Sequence, residues 1–185
     1  MVRTYSWGSL RLGHCVGCGS LPKPKRQIVK ALVLFESAFG NTERIAVAIA
    51  KQLEGFGQVT LLHAAEAGSV SLHEYDLLVI GSPTQFRKAS PTVTGWLDGL
   101  AIESLKGMLC AIYDTRYHNP AWKSGSAGKL LAKRVRRLGG VLLLEPESYF
   151  VGRNAGDLLP GEIERVPAWV DGLYQKYVSH SEVTE

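Results

Sequence analysis

The chain has few cysteines, no long apolar run and no acidic residue near its start. Its 185 residues include three cysteines, too few for a disulfide framework. Cys15 and Cys18 form a Cys-x-x-Cys, but no further zinc ligands are spaced near by, so we expect no metal site. No apolar run reaches the roughly 18 to 20 residues that cross a bilayer, so we expect a soluble, cytoplasmic protein with no membrane partner.

The missing acidic residues concentrate positive charge at one end of the chain. Residues 1–30 hold six of the 21 basic residues and none of the 17 acidic ones, which leaves the remainder close to neutral. A nucleic-acid-binding fold needs a basic surface on its folded body, so we expect no nucleic-acid partner. A second basic cluster, within residues 129–137, lies on a predicted helix and is interpreted as a solvated helix face.

Composition divides the chain into three segments. The hydrophobic fraction of 45% and the length suit one globular domain. Pro22 and Pro24 disfavour helix within the basic segment that precedes it. We predict a flexible basic leader at residues 1–29, a folded domain at 30–178 and a disordered tail at 179–185.

Strand and helix patterns alternate through the folded segment. Strands are predicted at 30–36, 58–63, 76–81, 108–114 and 140–151, and helices at 42–54, 91–100, 125–138 and 161–177. The strands are nearly continuous apolar runs, which indicates burial on both faces. This alternation predicts an α/β fold with a doubly wound, five-stranded parallel sheet. Pro167 should kink the last helix or move its start to about residue 165.

The loop that follows the first strand is typical of an anion site. The sequence Lys30–Thr42, KALVLFESAFGNT, joins a buried strand to a turn and then to a helix N-terminus, whose free N–H groups attract anions. Ser37, Asn41 and Thr42 offer side-chain donors, and Gly40 allows close approach of the backbone. A phosphate monoester suits this loop, although the same residues also occur as ordinary helix caps.

Two further loops follow buried strands and should lie at the same sheet edge. Gly81–Arg87 follows the third strand and Asp114–His118 follows the fourth. Their backbone groups could bind the polar edge of a planar ring, with Phe86 or Tyr117 covering one face. Asp114 is interpreted mainly as a cap for the next turn, and Trp122 mainly as a packing residue.

These three loops make the chain resemble the flavodoxin-like family, in its short form, over about residues 30–177. Residues 37–42 are similar to the family's phosphate loop except that Phe39 replaces the central Thr, and the other two loops are similar to those that hold the flavin ring. The resemblance implies the strand order 2-1-3-4-5 and bound FMN. It implies these cofactor-binding residues: Ser37, Ala38, Phe39, Gly40, Asn41, Thr42, Ser82, Pro83, Thr84, Gln85, Phe86, Asp114, Thr115, Arg116 and Tyr117.

The resemblance leaves two classes of function open. The first is an FMN-dependent redox protein, either an electron carrier with a redox partner protein or a small NAD(P)H:quinone-type oxidoreductase with a quinone-like acceptor. The second is a binding or regulatory module that has lost its flavin, suggested by Phe39 and the basic leader. Arg116 could contact the flavin edge or pair with a nearby acidic residue.

Overall fold

The computed structural model describes residues 29–153 and 156–184. The predicted leader, with Cys15 and Cys18, therefore lies outside the described residues, apart from Val29. Two short 3₁₀ helices, Ala64–Ser69 and Leu72–Glu74, connect the second and third strands. The remaining elements, in chain order, are β1 (Val29–Phe35), α1 (Asn41–Leu53), β2 (Gly57–His63), β3 (Leu77–Pro83), α2 (Pro91–Asp98), β4 (Leu109–Tyr117), α3 (Ala121–Ser124), α4 (Ala127–Arg137), β5 (Val141–Leu142), β6 (Glu147–Val151) and α5 (Val166–Thr184).

The strands form one parallel sheet with the order β2-β1-β3-β4-β5, which confirms the predicted doubly wound fold. Alternate residues of each central strand enter different cores. Val33 packs with α1 and α5 on one face, whereas Leu32 packs with α2 and α4 on the other. The central strands are buried on both faces because helices cover both faces, as their apolar runs predict.

The predicted strand 140–151 is divided into two, which corrects one boundary of the sequence interpretation. Here β5 pairs with the start of β4 and β6 pairs with Tyr113–Tyr117 at its end, both in parallel. The chain leaves the ladder between them at Pro146, which has no N–H to donate. Pro146 packs against Gly128, where an added Cβ would lie 2.9 Å from the proline Cβ. The sixth strand thus continues the fifth position of the sheet and brings Val151 to its carboxyl edge.

The last helix begins where Pro167 requires and ends later than predicted. α5 starts at Val166, so Pro167 lies in the first turn, where a helix needs no amide donor. Its inner face contributes Val170, Leu173 and Tyr177 to the core. The helix continues to Thr184, so residues 179–184, which were predicted as part of a disordered tail at 179–185, are helical. No glycine or proline interrupts that segment, and Val178 still packs on the core.

None of the helices in residues 29–153 and 156–184 combines the length and apolarity needed to span a bilayer.

Candidate functional site

A cavity of about 490 Å³ lies at the carboxyl edge of the sheet, among the ends of β1, β3, β4 and β6. This is the edge where doubly wound sheets bind ligands. All three loops selected from the sequence contribute to it. The predicted residues that line it are Ala38, Phe39, Asn41, Thr42, Pro83, Thr84, Gln85, Phe86, Thr115, Arg116 and Tyr117.

The loop before α1 has free donors. Gly40 is the N-cap of α1 at φ 78°, and no side chain caps the helix. An L side chain is strained at that φ, which accounts for glycine there. The Ser37 hydroxyl is buried and lacks a hydrogen-bond partner in the part of the chain that the structure describes. A buried polar group without a partner costs stability, so a hydroxyl and helix amides left free beside a cavity fit an oxyanion ligand.

Thr42 is held in place by a buried polar chain. Its Oγ1 lies 2.8 Å from the Oγ1 of Thr115 on β4, and its carbonyl accepts a hydrogen bond of 3.2 Å from the Tyr113 hydroxyl. Only one of the two threonine hydroxyls donates in their shared bond, so the other keeps a proton to donate elsewhere. Gly81 makes room for Tyr113, because a Cβ there would lie 2.1 Å from the tyrosine ring.

Burial keeps the Tyr113 hydroxyl protonated. Tyr113 and Tyr149 are both fully buried, and their rings meet edge to face. Burial raises the pKa of Tyr113 well above its ordinary value, and the neighbouring Tyr149 raises it further. Tyr113 therefore remains a hydrogen-bond donor to the first turn of α1 throughout the neutral range.

Asn41 has a role that sequence reasoning did not identify. Its Nδ2 donates to the carbonyl of Gly156 (2.9 Å), and its Oδ1 accepts from the amide of Leu158 (3.2 Å). The side chain predicted as a ligand donor thus fastens the loop after β6 to the start of α1.

Asp114 joins three elements at the base of the cavity. Its fully buried Oδ2 accepts from the Ser126 hydroxyl (2.7 Å), the Gly128 amide (2.8 Å) and the Thr84 hydroxyl (3.2 Å). A carboxylate at a helix N-terminus is favoured by the helix dipole. Asp114 does not line the cavity, so it acts through α4 and the loop that holds Thr84. It caps the start of α4 and not the turn directly after β4, which was the predicted position.

Arg116 pairs with an acidic residue, which is one of the two roles considered for it, and it also lines the cavity. Its guanidinium lies 3.8 Å from Asp114, donates to the Ser148 hydroxyl (3.0 Å) and lies over the ring of Phe150. It also lines the cavity, where its side chain is largely buried. These contacts fix a positive charge at the cavity wall.

The loop after β3 closes in a tight, strained turn. The backbones of Gln85 and Lys88 exchange two hydrogen bonds, and the central residues Phe86 and Arg87 adopt φ values of 47° and 67°. Bulky residues rarely adopt positive φ, and such strain often occurs at functional sites. Gly125 supports this turn because a Cβ at residue 125 would lie 2.5 Å from the Arg87 Cα. Phe86 is 96% exposed at the tip.

Four of the predicted residues lie outside the cavity lining: Ser37, Gly40, Ser82 and Asp114. Ser82 is fully buried, and its hydroxyl accepts from the amide of Ser90 (2.9 Å). It therefore supports the start of α2. Trp122, predicted to pack, is 76% exposed, because α3 is a single turn on the surface.

Four lining residues were absent from the predicted set: Arg87, Ser124, Val151 and Gly156. Arg87 is the last residue of the loop Gly81–Arg87, which was predicted to lie at this edge of the sheet. Val151 is the last residue of β6, and doubly wound sheets bind ligands at the carboxyl ends of their strands. Its place in the lining can therefore be predicted once β6 is recognised as a separate strand. Ser124 and Gly156 reach the cavity through long-range contacts for which the sequence offers no local signal.

Comparison with known proteins agrees with this architecture. A family model described as "Flavodoxin domain" matches residues 32–138. Because that match covers more than half of the chain, the chain belongs to the flavodoxin domain family. No curated protein sequence matches it.

Solved structures of flavodoxins and of a flavodiiron protein share the fold at low sequence identity. Oxidised Flavodoxin 2 from Bacillus cereus is 21% identical, with a TM-score of 0.67 over 80% of this chain and 99% of that one. A flavodoxin from the domain Archaea is 20% identical, with a TM-score of 0.65 over 80% and 98%. The flavodiiron protein from Giardia intestinalis is 21% identical, with a TM-score of 0.64 over 83% of this chain but 37% of its own.

Proposed function

We propose that this chain binds FMN and serves as a flavin-dependent redox protein. The observation that carries the proposal is the buried, unpartnered hydroxyl of Ser37 next to the uncapped N-terminus of α1. Both fit a phosphate, and both lie in the loop that opens on the cavity. Membership of the flavodoxin family supports the same ligand.

The residues present would divide the cofactor between two regions. The loop of residues 37–42 would bind the phosphate through Ser37 and the first amides of α1, with Thr42 oriented by Thr115. Residues 83–87 and 115–117 would hold the ring system, with Arg116 as a fixed positive charge. When bound, the flavin would supply one- and two-electron chemistry, and the protein would set its orientation and electrostatic environment.

The position of Phe39 argues against the flavin-free alternative. Phe39 replaces a threonine of the family pattern. The loss of the threonine hydroxyl could cost about 1 kcal/mol of phosphate binding. The side chain is 65% exposed at the rim of the cavity, so it does not fill the core of the loop. The free hydroxyl of Ser37 and the amides of α1 remain available as donors.

The proposal is tested by titrating the purified protein with FMN and with riboflavin and following flavin fluorescence. Binding should quench the flavin fluorescence. The protein should bind FMN at least tenfold more tightly than riboflavin, because only FMN carries the phosphate. Thr42→Ala should weaken FMN binding about tenfold, whereas the exposed helical control Thr92→Ala should leave it unchanged. Equal affinities for FMN and riboflavin, or no quenching by either, would reject the proposal.

A further inference from the structure

We infer that one corner of the site's mouth is a docking surface for an acidic electron-transfer protein; this rests on the proposed function. The surface, called the basic corner, consists of Phe86, Arg87 and Lys88 from the loop after β3 and Trp122 and Lys123 from α3. All five residues are exposed. The sign of its charge is what selects the partner.

The two loops of the basic corner form one continuous surface. Arg87 and Gly125 are bridged in parallel, and their backbones are in close contact. Lys88 adjoins Arg87, and Lys123 lies two residues from Gly125. The corner is therefore built on a close backbone contact between the turn after β3 and the segment that leads into α4. Phe86 and Arg87 also line the cavity, so the corner borders the proposed flavin site.

The positive charge of the basic corner is not neutralised within the protein. Across the residues that the structure describes, no ion pair involves Arg87, Lys88 or Lys123. The other charges around the mouth are largely paired, Asp157 with Arg44 and Asp114 with Arg116. The acidic residues Glu36 and Glu43 belong to the segment from β1 to α1 and not to either loop of the basic corner.

The second basic cluster of the chain does not compete as a docking site. On α4, Arg134 and Arg137 both lie within ion-pair distance of Asp98, and Arg136 pairs with Glu145. Two carboxylates balance two of the five cations of that cluster, and none of its residues lines the cavity, so this face does not border the proposed flavin site. Its predicted interpretation as a solvated helix face is consistent with this pairing.

The composition of the basic corner favours a protein partner over a lipid surface. Trp122 is 76% exposed and lies outside the cavity lining, so a role in holding the flavin does not explain it. Tryptophan and arginine are the residues that most often carry binding energy in protein interfaces. Three unpaired cations fall short of the roughly four to eight that typify an anionic-lipid cluster. Complementary charge would steer an acidic partner to the mouth.

The experiment has a first arm that needs no flavin. Isotope-labelled protein is titrated with a plant-type ferredoxin, as an acidic probe, and with cytochrome c, as a basic one, and perturbed NMR signals are mapped. Ferredoxin should perturb Phe86, Lys88 and Trp122, with an affinity that falls at least tenfold between 50 and 200 mM salt, and cytochrome c should not. Equal effects of the two probes, or effects confined to α4, would overturn the inference.

Charge reversal then tests the residues themselves. The double variant Lys88→Glu with Lys123→Glu should weaken ferredoxin binding at least tenfold. The matched control, Lys51→Glu with Lys176→Glu, makes the same change in net charge at exposed positions remote from the mouth and should change it less than twofold. A similar loss in both variants would show that only net charge matters and would contradict a local docking surface.

The second arm uses FMN-loaded protein and measures electron transfer. One electron passes from the reduced iron–sulfur cluster of ferredoxin to the oxidised flavin, and the rate should fall at least tenfold in the Lys88/Lys123 variant. Phosphatidylserine vesicles provide the competing occupant, and cosedimentation at 150 mM salt would reject a protein partner in favour of a membrane. If FMN does not bind, the proposed function fails, while the NMR arm still decides whether the basic corner docks an acidic protein.

Discussion

Ser37→Ala should change the stability of the protein and its affinity for FMN in opposite directions. The Ser37 hydroxyl is buried without a partner in the described part of the chain, so the FMN-free protein bears its desolvation cost. Removing the hydroxyl, which leaves the Cβ as a methyl group, should stabilise that form by about 1 kcal/mol, or about 2–4 °C in Tm for a domain of this size. The FMN complex would lose a hydrogen bond to a charged phosphate, about 1.5–3 kcal/mol, which corresponds to roughly 10- to 150-fold in Kd.

The two effects are separated by two measurements on the same variant. Thermal unfolding without flavin gives the change in stability, and fluorescence titration with FMN gives the change in Kd. The control is Ser104→Ala, which removes an exposed hydroxyl that donates to the carbonyl of Ala101 and should leave the FMN affinity unchanged. A Ser37→Ala variant that loses stability without flavin and retains its FMN affinity would contradict a ligand-binding role for Ser37, because its hydroxyl would then have a structural partner.

Three further predictions concern buried ionisable groups. Asp114→Ala should lower the free energy of unfolding by about 3–5 kcal/mol. The substitution removes the buried acceptor of Ser126 and Gly128 at the start of α4 and leaves Arg116 without its carboxylate. A loss below about 1 kcal/mol in urea unfolding would contradict this prediction. Burial raises the pKa of Tyr113 and of Tyr149, so above about pH 10 the unfolded chain releases phenolic protons that the folded protein retains. Stability should therefore fall by about 1.4 kcal/mol per pH unit for each tyrosine, and unfolding curves that do not change between pH 9.5 and 11 would argue otherwise. Burial raises the pKa of the Cys110 thiol to about 12, so iodoacetamide at pH 8 should label Cys110 only in denaturant; labelling of Cys110 in the native protein, distinguished from that of Cys15 and Cys18 by peptide mass analysis, would disprove this.

The sequence predicted the fold well because the fold depends on local patterns. Apolar runs such as Leu77–Ile80 are long enough to identify buried strands, and strands buried on both faces require helices on both sides. The edge of the sheet that holds the cavity follows from the parallel topology alone. Pro167 also had a local consequence, since a proline is tolerated only in the first turn of a helix.

The individual roles of site residues were harder to predict because their partners are distant in sequence. The Asn41 side chain donates a hydrogen bond to the carbonyl of Gly156 in the loop after β6. The Asp114 carboxylate accepts one from the amide of Gly128 at the start of α4. Side-chain type alone marked both as polar residues in a loop, which is equally compatible with a ligand donor and with a structural cap. The split of the fifth strand was missed for the same reason, since it depends on the packing of Pro146 against Gly128.

The most direct test of the central claim is the flavin stoichiometry of the purified chain. The protein is incubated with excess FMN, dialysed, and its absorbance near 450 nm is compared with the protein concentration, after which heat releases the flavin for identification. We expect about one FMN per chain, because one FMN would occupy the cavity at the ends of β1, β3 and β4. Less than about one flavin in ten chains, under conditions where the protein is folded, would contradict it.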